Sequence, residues 1–143
     1  MDNEAKEKQA EIFKKKGNEE FRKGNISKSL QLYTQSIDLY PTSVCYGNRS
    51  FAYYKLEKFE KSLKDATTSV QLDEQYLKGY FRRAEAHMAL NNYDQAIKDY
   101  EHTNSLHPDL EISDKINECK KRKQDEIIKK ERNDRLNSGK LMV

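Results

Sequence analysis

Five basic and amide residues recur at spacings that could place them on one surface. Lys14 and Asn18 are four residues apart, as are Lys78 and Arg82, so each pair projects from one face of a helix. Asn48 lies 30 residues from both Asn18 and Lys78. Lysine offers a point charge, arginine a planar fork of donors, and asparagine an amide that both donates and accepts. Three cations and two amides on one strip suit an anion with several oxygens, such as a terminal α-carboxylate beside an acidic side chain.

Further side chains are predicted to line the same strip and to contact the rest of such a ligand. The apolar ones would add the burial that a few hydrogen bonds do not supply, and Glu85 is the one acid placed there. Arg22 is also predicted to face inward, but it is not assigned to the binding set. The predicted groove contacts are Phe21, Phe51, Tyr54, Lys55, Glu85 and Met88.

The elements that would position these residues follow from an internal repeat. Aligning Gly17, Ser50 and Ala84 brings the chain into register at offsets of 33 and 34 residues. A small residue followed by an aliphatic one then recurs at Ser29-Leu30, Ser62-Leu63 and Ala96-Ile97. This period and this pattern of small residues are typical of the tetratricopeptide repeat (TPR), in which each repeat is a pair of antiparallel helices. The sequence therefore predicts an all-α fold of three helix-turn-helix repeats that form a right-handed superhelix.

The predicted helix boundaries follow the apolar periodicity and the turn residues. We expect helix A of the repeats at 4–22, 43–56 and 77–90, and helix B at 27–40, 60–72 and 94–106. Ser27 and Asp94 are predicted N-caps of the first and third B helices. The turns within repeats are predicted at 24–25, 57–58 and 91–92. Tyr and Phe residues at repeat positions 17 and 24 are assigned to the core.

A seventh helix is predicted from about 110 to 136, with Asp109 as its cap. Its first half carries apolar residues that could cover the last repeat, as terminal elements of repeat proteins do. We therefore place the three-repeat domain at 1–119, with repeats at about 10–42, 43–76 and 77–110, and a charged helical extension with a frayed tail at 120–143. Residues 120–135 hold eight basic and four acidic residues. We expect this segment to form a helix whose charged side chains face solvent.

Composition excludes several classes of protein. Of the 143 residues, 36% are charged and 35% hydrophobic, and no apolar run is long enough to span a bilayer. The charged N-terminus does not resemble a secretory signal, and Cys45 and Cys119 fit no disulfide pattern, so a cytoplasmic protein is expected, with the nucleus as a second compartment. The basic segment lacks interleaved aromatic residues, which argues against nucleic acid. We expect no metal, no cofactor, no catalytic residue and no membrane partner, and a monomer because sustained heptads are absent.

The groove residues resemble a specific group of TPR domains. Lys14, Asn18, Asn48, Lys78 and Arg82 match the dicarboxylate clamp of co-chaperone TPR domains in residue type. The segments YGNRSFAY (46–53) and INECKKRK (116–123) are similar to the N-terminal TPR domain of type-five serine/threonine protein phosphatases. The resemblance implies binding of the acidic Glu-Glu-Val-Asp tail of cytosolic heat-shock chaperones of the ninety- or seventy-kilodalton class. It implies that Lys14 and Arg82 hold carboxylates, that Asn18 and Asn48 hold the terminal one, and that Lys78 joins them, with Lys55 nearby.

Two departures from that family leave alternatives open. Glu74 stands where the second repeat should have its terminal proline, a departure that concerns the local turn and not the groove. The metal-binding GDxHG, GDxxDRG and GNHE segments of metallophosphatases are missing from this sequence. The chain could therefore be a co-chaperone adaptor or an autoinhibitory or targeting arm of a phosphatase whose catalytic domain is absent here. A scaffold that binds through its outer side or its basic segment is a third alternative. The sequence does not choose between the two chaperone classes.

Overall fold

The computed structural model describes residues 1–141, which form seven α-helices in the order that the sequence predicts. The helices are α1 (Asn3–Arg22), α2 (Ile26–Leu39), α3 (Ser43–Lys55), α4 (Phe59–Leu72), α5 (Leu77–Ala89), α6 (Tyr93–Leu106) and α7 (Leu110–Leu141). The prediction of an all-α superhelical TPR fold is confirmed. The first six helices begin and end within one residue of the predicted positions. None of the helices in this range is long and apolar enough to cross a membrane.

Each repeat is a helix pair closed by a tight turn whose backbone enters the left-handed region. Gly24, Glu57 and Asn91 have φ values of 86°, 58° and 61°. In each turn the next backbone N–H returns to the helix just completed, as in Asn92 N to His87 O at 2.8 Å. Glycine adopts such a φ without steric cost and asparagine tolerates it better than other residues do, so Glu57 is the most strained of the three.

The predicted N-caps of two helices were wrong. The N-caps of α2 and α6 are Asn25 and Asn92, and neither side chain makes a capping bond. Only three residues separate the paired helices, and α2 and α6 begin at Ile26 and Tyr93, so the helix has already begun when the chain reaches Ser27 or Asp94. By contrast, Asp109 accepts from Glu111 N at 2.8 Å, immediately before α7 as expected.

Small residues allow the paired helices to approach closely. Ser50 and Ser62 are buried where α3 crosses α4, and each hydroxyl donates to the other residue's carbonyl at 2.8 Å. At the other end of the same helix pair, Ser43 of α3 and Ser69 of α4 form the same reciprocal pair at 2.7 Å. Serine satisfies its own hydroxyl at such a crossing while it occupies little volume, so both pairs fix neighbouring helices without leaving a buried donor unpaired.

The A helices α1, α3 and α5 lie side by side and form one face of the superhelix. Beyond them, α7 packs on α6 and buries Ile112, Ile116 and Cys119 against Ala84 and Tyr100. The helix continues to Leu141, past the predicted end at 136, and its residues from 120 to 139 are exposed. Residues 142–143 lie outside the described range, and the frayed tail expected in 120–143 stays a prediction.

Candidate functional site

The two predicted clamp amides meet on the inner face. Asn48 Nδ2 of α3 donates to Asn18 Oδ1 of α1 at 3.1 Å, and the Tyr33 hydroxyl of α2 donates to the same oxygen at 2.6 Å. Two donors on one oxygen fix the orientation of the Asn18 amide, so its Nδ2 group is left to donate to a ligand. The three side chains line an open depression of about 260 Å³ together with Phe21, Arg22 and Phe51.

Tyr33 belongs to this amide cluster, although the sequence reasoning assigned it only to the core. Its ring is 2% exposed, and a Cβ added at Gly17 would lie 2.7 Å from its Cε1 atom. Burial raises the pKa of Tyr33 to about 12, so the hydroxyl remains a donor throughout the physiological range. The signal that could have revealed this role is the hydroxyl itself, because a buried tyrosine usually finds a hydrogen-bond partner.

The three predicted aromatic contacts form one row of rings. The ring centroids of Phe21 and Phe51 are 5.1 Å apart, and those of Phe51 and Tyr54 are 6.4 Å apart. Phe59, which was not predicted, extends the row at 5.5 Å from Tyr54. These rings are half-buried, so they offer a ligand apolar surface that is already ordered by ring-to-ring packing.

Arg82 lies flat on this row. Its guanidinium carbon is 3.6 Å from the centroid of Phe51, and Lys55 Nζ is 5.1 Å from the same centroid. Arg82 Nη1 also donates to Glu85 Oε1 at 2.8 Å. The ring and the carboxylate hold the guanidinium in place, and the remaining N–H groups of Arg82 stay available to an anion.

Three of the predicted residues have no described contact with this centre. Lys14 Nζ lies 3.0 Å from Glu11 Oε2, and Lys78 is exposed at the start of α5. Met88 packs against the core of the third repeat. Within residues 1–141 no hydrogen bond or salt bridge joins Lys14 or Lys78 to the amide pair. The convergence of all five clamp residues on one ligand therefore stays a prediction.

Arg22 belongs to the site although it was not assigned to the binding set. Its Nε donates to Asn18 O at 3.3 Å, and its side chain lines the depression beside the amides. Its position on the inward face of the first A helix was the available signal. Among the described residues no group of three His, Cys, Asp or Glu side chains is placed to hold a metal ion.

Comparisons with known proteins agree with this architecture. The family described as Tetratricopeptide repeat matches residues 77–110, the third repeat. Human Serine/threonine-protein phosphatase 5 is 39% identical over 116 residues, which cover 80% of this chain and 23% of the phosphatase. The chain thus spans less than a quarter of that relative's length, and the matched stretch is its TPR part.

Two solved structures of similar chains contain peptides. The first TPR domain of Spaghetti (RPAP3), bound to the HSP90 peptide SRMEEVD, is 32% identical with a TM-score of 0.78, over 80% of this chain and 93% of that domain. The second TPR domain of human RPAP3, in complex with the HSP70 peptide SGPTIEEVD, is 26% identical with a TM-score of 0.74, over 83% of this chain and 98% of that domain.

Proposed function

Because the chain belongs to the tetratricopeptide-repeat (TPR) family, we propose that its inner groove binds the acidic C-terminal tail of a cytosolic heat-shock chaperone of the ninety- or seventy-kilodalton class. The observation that carries this proposal is the amide pair of Asn18 and Asn48, oriented by Tyr33 beside an arginine that is stacked on Phe51. Relatives of this chain bind peptides that end in Glu-Glu-Val-Asp. The same proposal places the protein in the cytoplasm, with the nucleus as a second compartment.

The proposed roles follow from the donors at each position. Asn18 and Asn48 hold the terminal carboxylate, since both amides lie at the depression and Asn18 Nδ2 is left to donate. Arg82 holds a side-chain carboxylate of the tail through the N–H groups that Glu85 does not occupy. Lys14 and Lys78 add positive charge from the two sides of the strip. These five residues together are the proposed dicarboxylate clamp.

The aromatic row and Lys55 are proposed to contact the residues upstream of the acidic pair. Charge-assisted hydrogen bonds contribute about 1.5–3 kcal/mol each. A micromolar complex requires about 8 kcal/mol, so two or three such bonds need apolar burial beside them. Phe21, Phe51 and Tyr54 supply that surface next to Arg82, without the cost of ordering the rings during binding.

Calorimetric titration with the peptide SRMEEVD, with a free or an amidated C-terminus, tests the proposal. We expect micromolar binding of the peptide with a free C-terminus. The amidated peptide should bind at least about tenfold more weakly, because amidation removes the charged carboxylate that Asn18 and Asn48 are proposed to hold. Lys78→Glu should remove most of the binding, whereas Lys98→Glu, the same charge change on the exposed side of α6, should not. Equal affinity for both peptides, or binding of neither, would contradict the proposal.

A second candidate is a regulatory or targeting arm of a phosphatase. It is favoured by the 39% identity with the TPR part of Serine/threonine-protein phosphatase 5. The two functions share one groove, so peptide binding does not separate them. Sequencing the native transcript beyond codon Val143 does: a metallophosphatase reading frame supports the regulatory arm, and a stop codon contradicts it.

A further inference from the structure

A second polar depression lies in the middle repeat, away from the groove. It occupies about 330 Å³ between α3 and α4, on the face of α3 that carries Tyr46, Arg49 and Tyr53. The groove residues Asn48 and Phe51 are not among those that line it. From α4 it is lined by Lys61, Lys64, Asp65 and Thr68.

Arg49 forms a rigid floor of this depression. Its Nε and Nη2 atoms donate to the two carboxylate oxygens of Asp65 at 2.7 and 2.9 Å, and Nη1 donates to Thr34 Oγ1 at 3.2 Å. Its guanidinium lies 5.4 Å from the Tyr46 ring centroid and 5.8 Å from that of Tyr53. Asp65 is 4% exposed, so this pair is internally neutralised and fixed.

Lys61 and Lys64, at the rim of the depression, differ from Arg49 because their charges are not neutralised by a carboxylate. Lys61 and Lys64 are exposed, and no carboxylate of residues 1–141 lies within 4.0 Å of either ammonium group. Lys61 Nζ is 5.8 Å from the Tyr53 ring centroid, which draws it over the depression. The hydroxyls of Tyr46 and Tyr53 donate no hydrogen bond to any described residue. The depression therefore combines two net positive charges with two free hydroxyl donors.

The third repeat shows which of these features are only structural. Arg83 and Asp99 form the same two-bond pair at 2.8 and 2.9 Å, and Lys98 is the counterpart of Lys64. There, however, Gln95 replaces Lys61, and the His102 ring lies 4.2 Å from that of Tyr80, the counterpart of Tyr46. The arginine–aspartate pair is thus part of the repeat scaffold, whereas the paired lysines and open tyrosines are particular to the second repeat.

We propose that the depression lined by Tyr46, Tyr53, Lys61 and Lys64 is a binding site for a phosphate monoester. The net charge of the lining residues matches a dianion, and the ammonium and hydroxyl groups can donate to its three terminal oxygens. The ester is carried by a phosphorylated side chain of a partner protein or by a free small molecule. In either case the site is separate from the peptide groove.

Titration of the 15N-labelled chain, followed by two-dimensional NMR, tests this inference with N-acetyl-O-phosphoserine amide, inorganic phosphate and unphosphorylated N-acetylserine amide. We expect saturable shifts of backbone amides in 46–53 and 61–68 with the phosphorylated probe and none with the unphosphorylated one. Stronger binding of phosphoserine than of phosphate identifies a protein-borne ester, and the reverse order identifies a small anion.

Matched variants separate a site from general attraction of anions. The double variant Lys61→Gln/Lys64→Gln should weaken binding at least about tenfold, because two charge-assisted bonds are lost. Lys98→Gln, at the equivalent place in the third repeat, should leave it unchanged. Tyr53→Phe, which keeps the ring, should weaken binding about threefold through the lost hydroxyl. Shifts that do not saturate, that survive the double variant, or that appear equally around Lys98 would overturn the inference.

Discussion

Tyr33→Phe tests the orientation of the Asn18 amide without changing the other residues of the groove. The change keeps the buried ring against Gly17 and removes only the hydroxyl that donates to Asn18 Oδ1 at 2.6 Å. Asn48 Nδ2 still donates to that oxygen at 3.1 Å, so no acceptor is left unpaired. What is lost is the second donor that fixes which end of the Asn18 amide faces the ligand.

The size of the effect follows from the net value of one neutral hydrogen bond, about 0.5–1.5 kcal/mol. If this energy maintains the binding orientation of the Asn18 amide, affinity for SRMEEVD should fall about 2- to 12-fold. The free energy of unfolding should fall by no more than about 1.5 kcal/mol, because ring packing is unchanged. Titration calorimetry measures the first quantity and urea denaturation the second.

Tyr100→Phe is the matched control, since Tyr100 occupies the equivalent position of the third repeat and packs in a separate core cluster. It should leave the affinity unchanged. If Tyr33→Phe also binds the peptide as tightly as the unaltered chain does, the orienting role of the hydroxyl is refuted. A loss of affinity of the same size in both variants would equally refute it, since the effect would then not depend on contact with Asn18.

Three further predictions concern the same groove. Arg82→Lys keeps the charge but loses the planar group stacked 3.6 Å from the Phe51 centroid, so peptide affinity should fall about tenfold with little change in stability. Gly17→Ala would place a Cβ 2.7 Å from the buried Tyr33 ring, so overpacking of about 1–3 kcal/mol should exceed the helix-propensity gain of about 1 kcal/mol and lower the melting temperature. Because the pKa of Tyr33 rises to about 12 in the folded chain, folding stability should be intact below pH 10 and fall between pH 10 and 12, and less steeply in Tyr33→Phe.

Each of these three has an outcome that would contradict it. Arg82→Lys with unaltered affinity would mean that charge alone matters at this position. A more stable Gly17→Ala variant would mean that Tyr33 can move at low cost. Stability profiles of Tyr33→Phe and the unaltered chain that stay parallel up to pH 12 would mean that this hydroxyl does not titrate differently on folding.

The repeat period made the helices predictable, because small residues at fixed spacing can serve only where helices cross closely. Ser50 and Ser62, which mark the alignment in sequence, are the residues buried at the α3–α4 crossing. The N-caps were mispredicted because capping preference was read from residue type at Ser27 and Asp94. The tight turn instead satisfies the helix ends through backbone bonds. The end of α7 was predicted five residues too early because its last turns are exposed and carry no apolar periodicity that would mark where the helix ends.

The sequence predicted those contacts of the candidate site that follow from the spacing between repeats. It did not predict contacts that depend on which of several partners a side chain binds. The spacing of 30 residues predicted that Asn18 and Asn48 lie close together, and the structure places them in a hydrogen bond. It could not show that Glu85 binds Arg82 or that Lys14 binds Glu11, since these pairs depend on rotamers. To predict the contact of Tyr33 with Asn18, one must know that α2 passes beneath the amides, and the sequence pattern alone does not give that path.

The most direct test of the central claim, that the amide pair holds a free chain end, is a double-mutant cycle between Asn48→Ala and amidation of the peptide C-terminus. Affinities of the four combinations, measured by calorimetry, give the coupling energy between the amide and the terminal carboxylate. Direct contact predicts a coupling of about 1.5–3 kcal/mol, the range for a hydrogen bond to a charged group. A coupling of zero, with each change weakening binding independently, would contradict the claim.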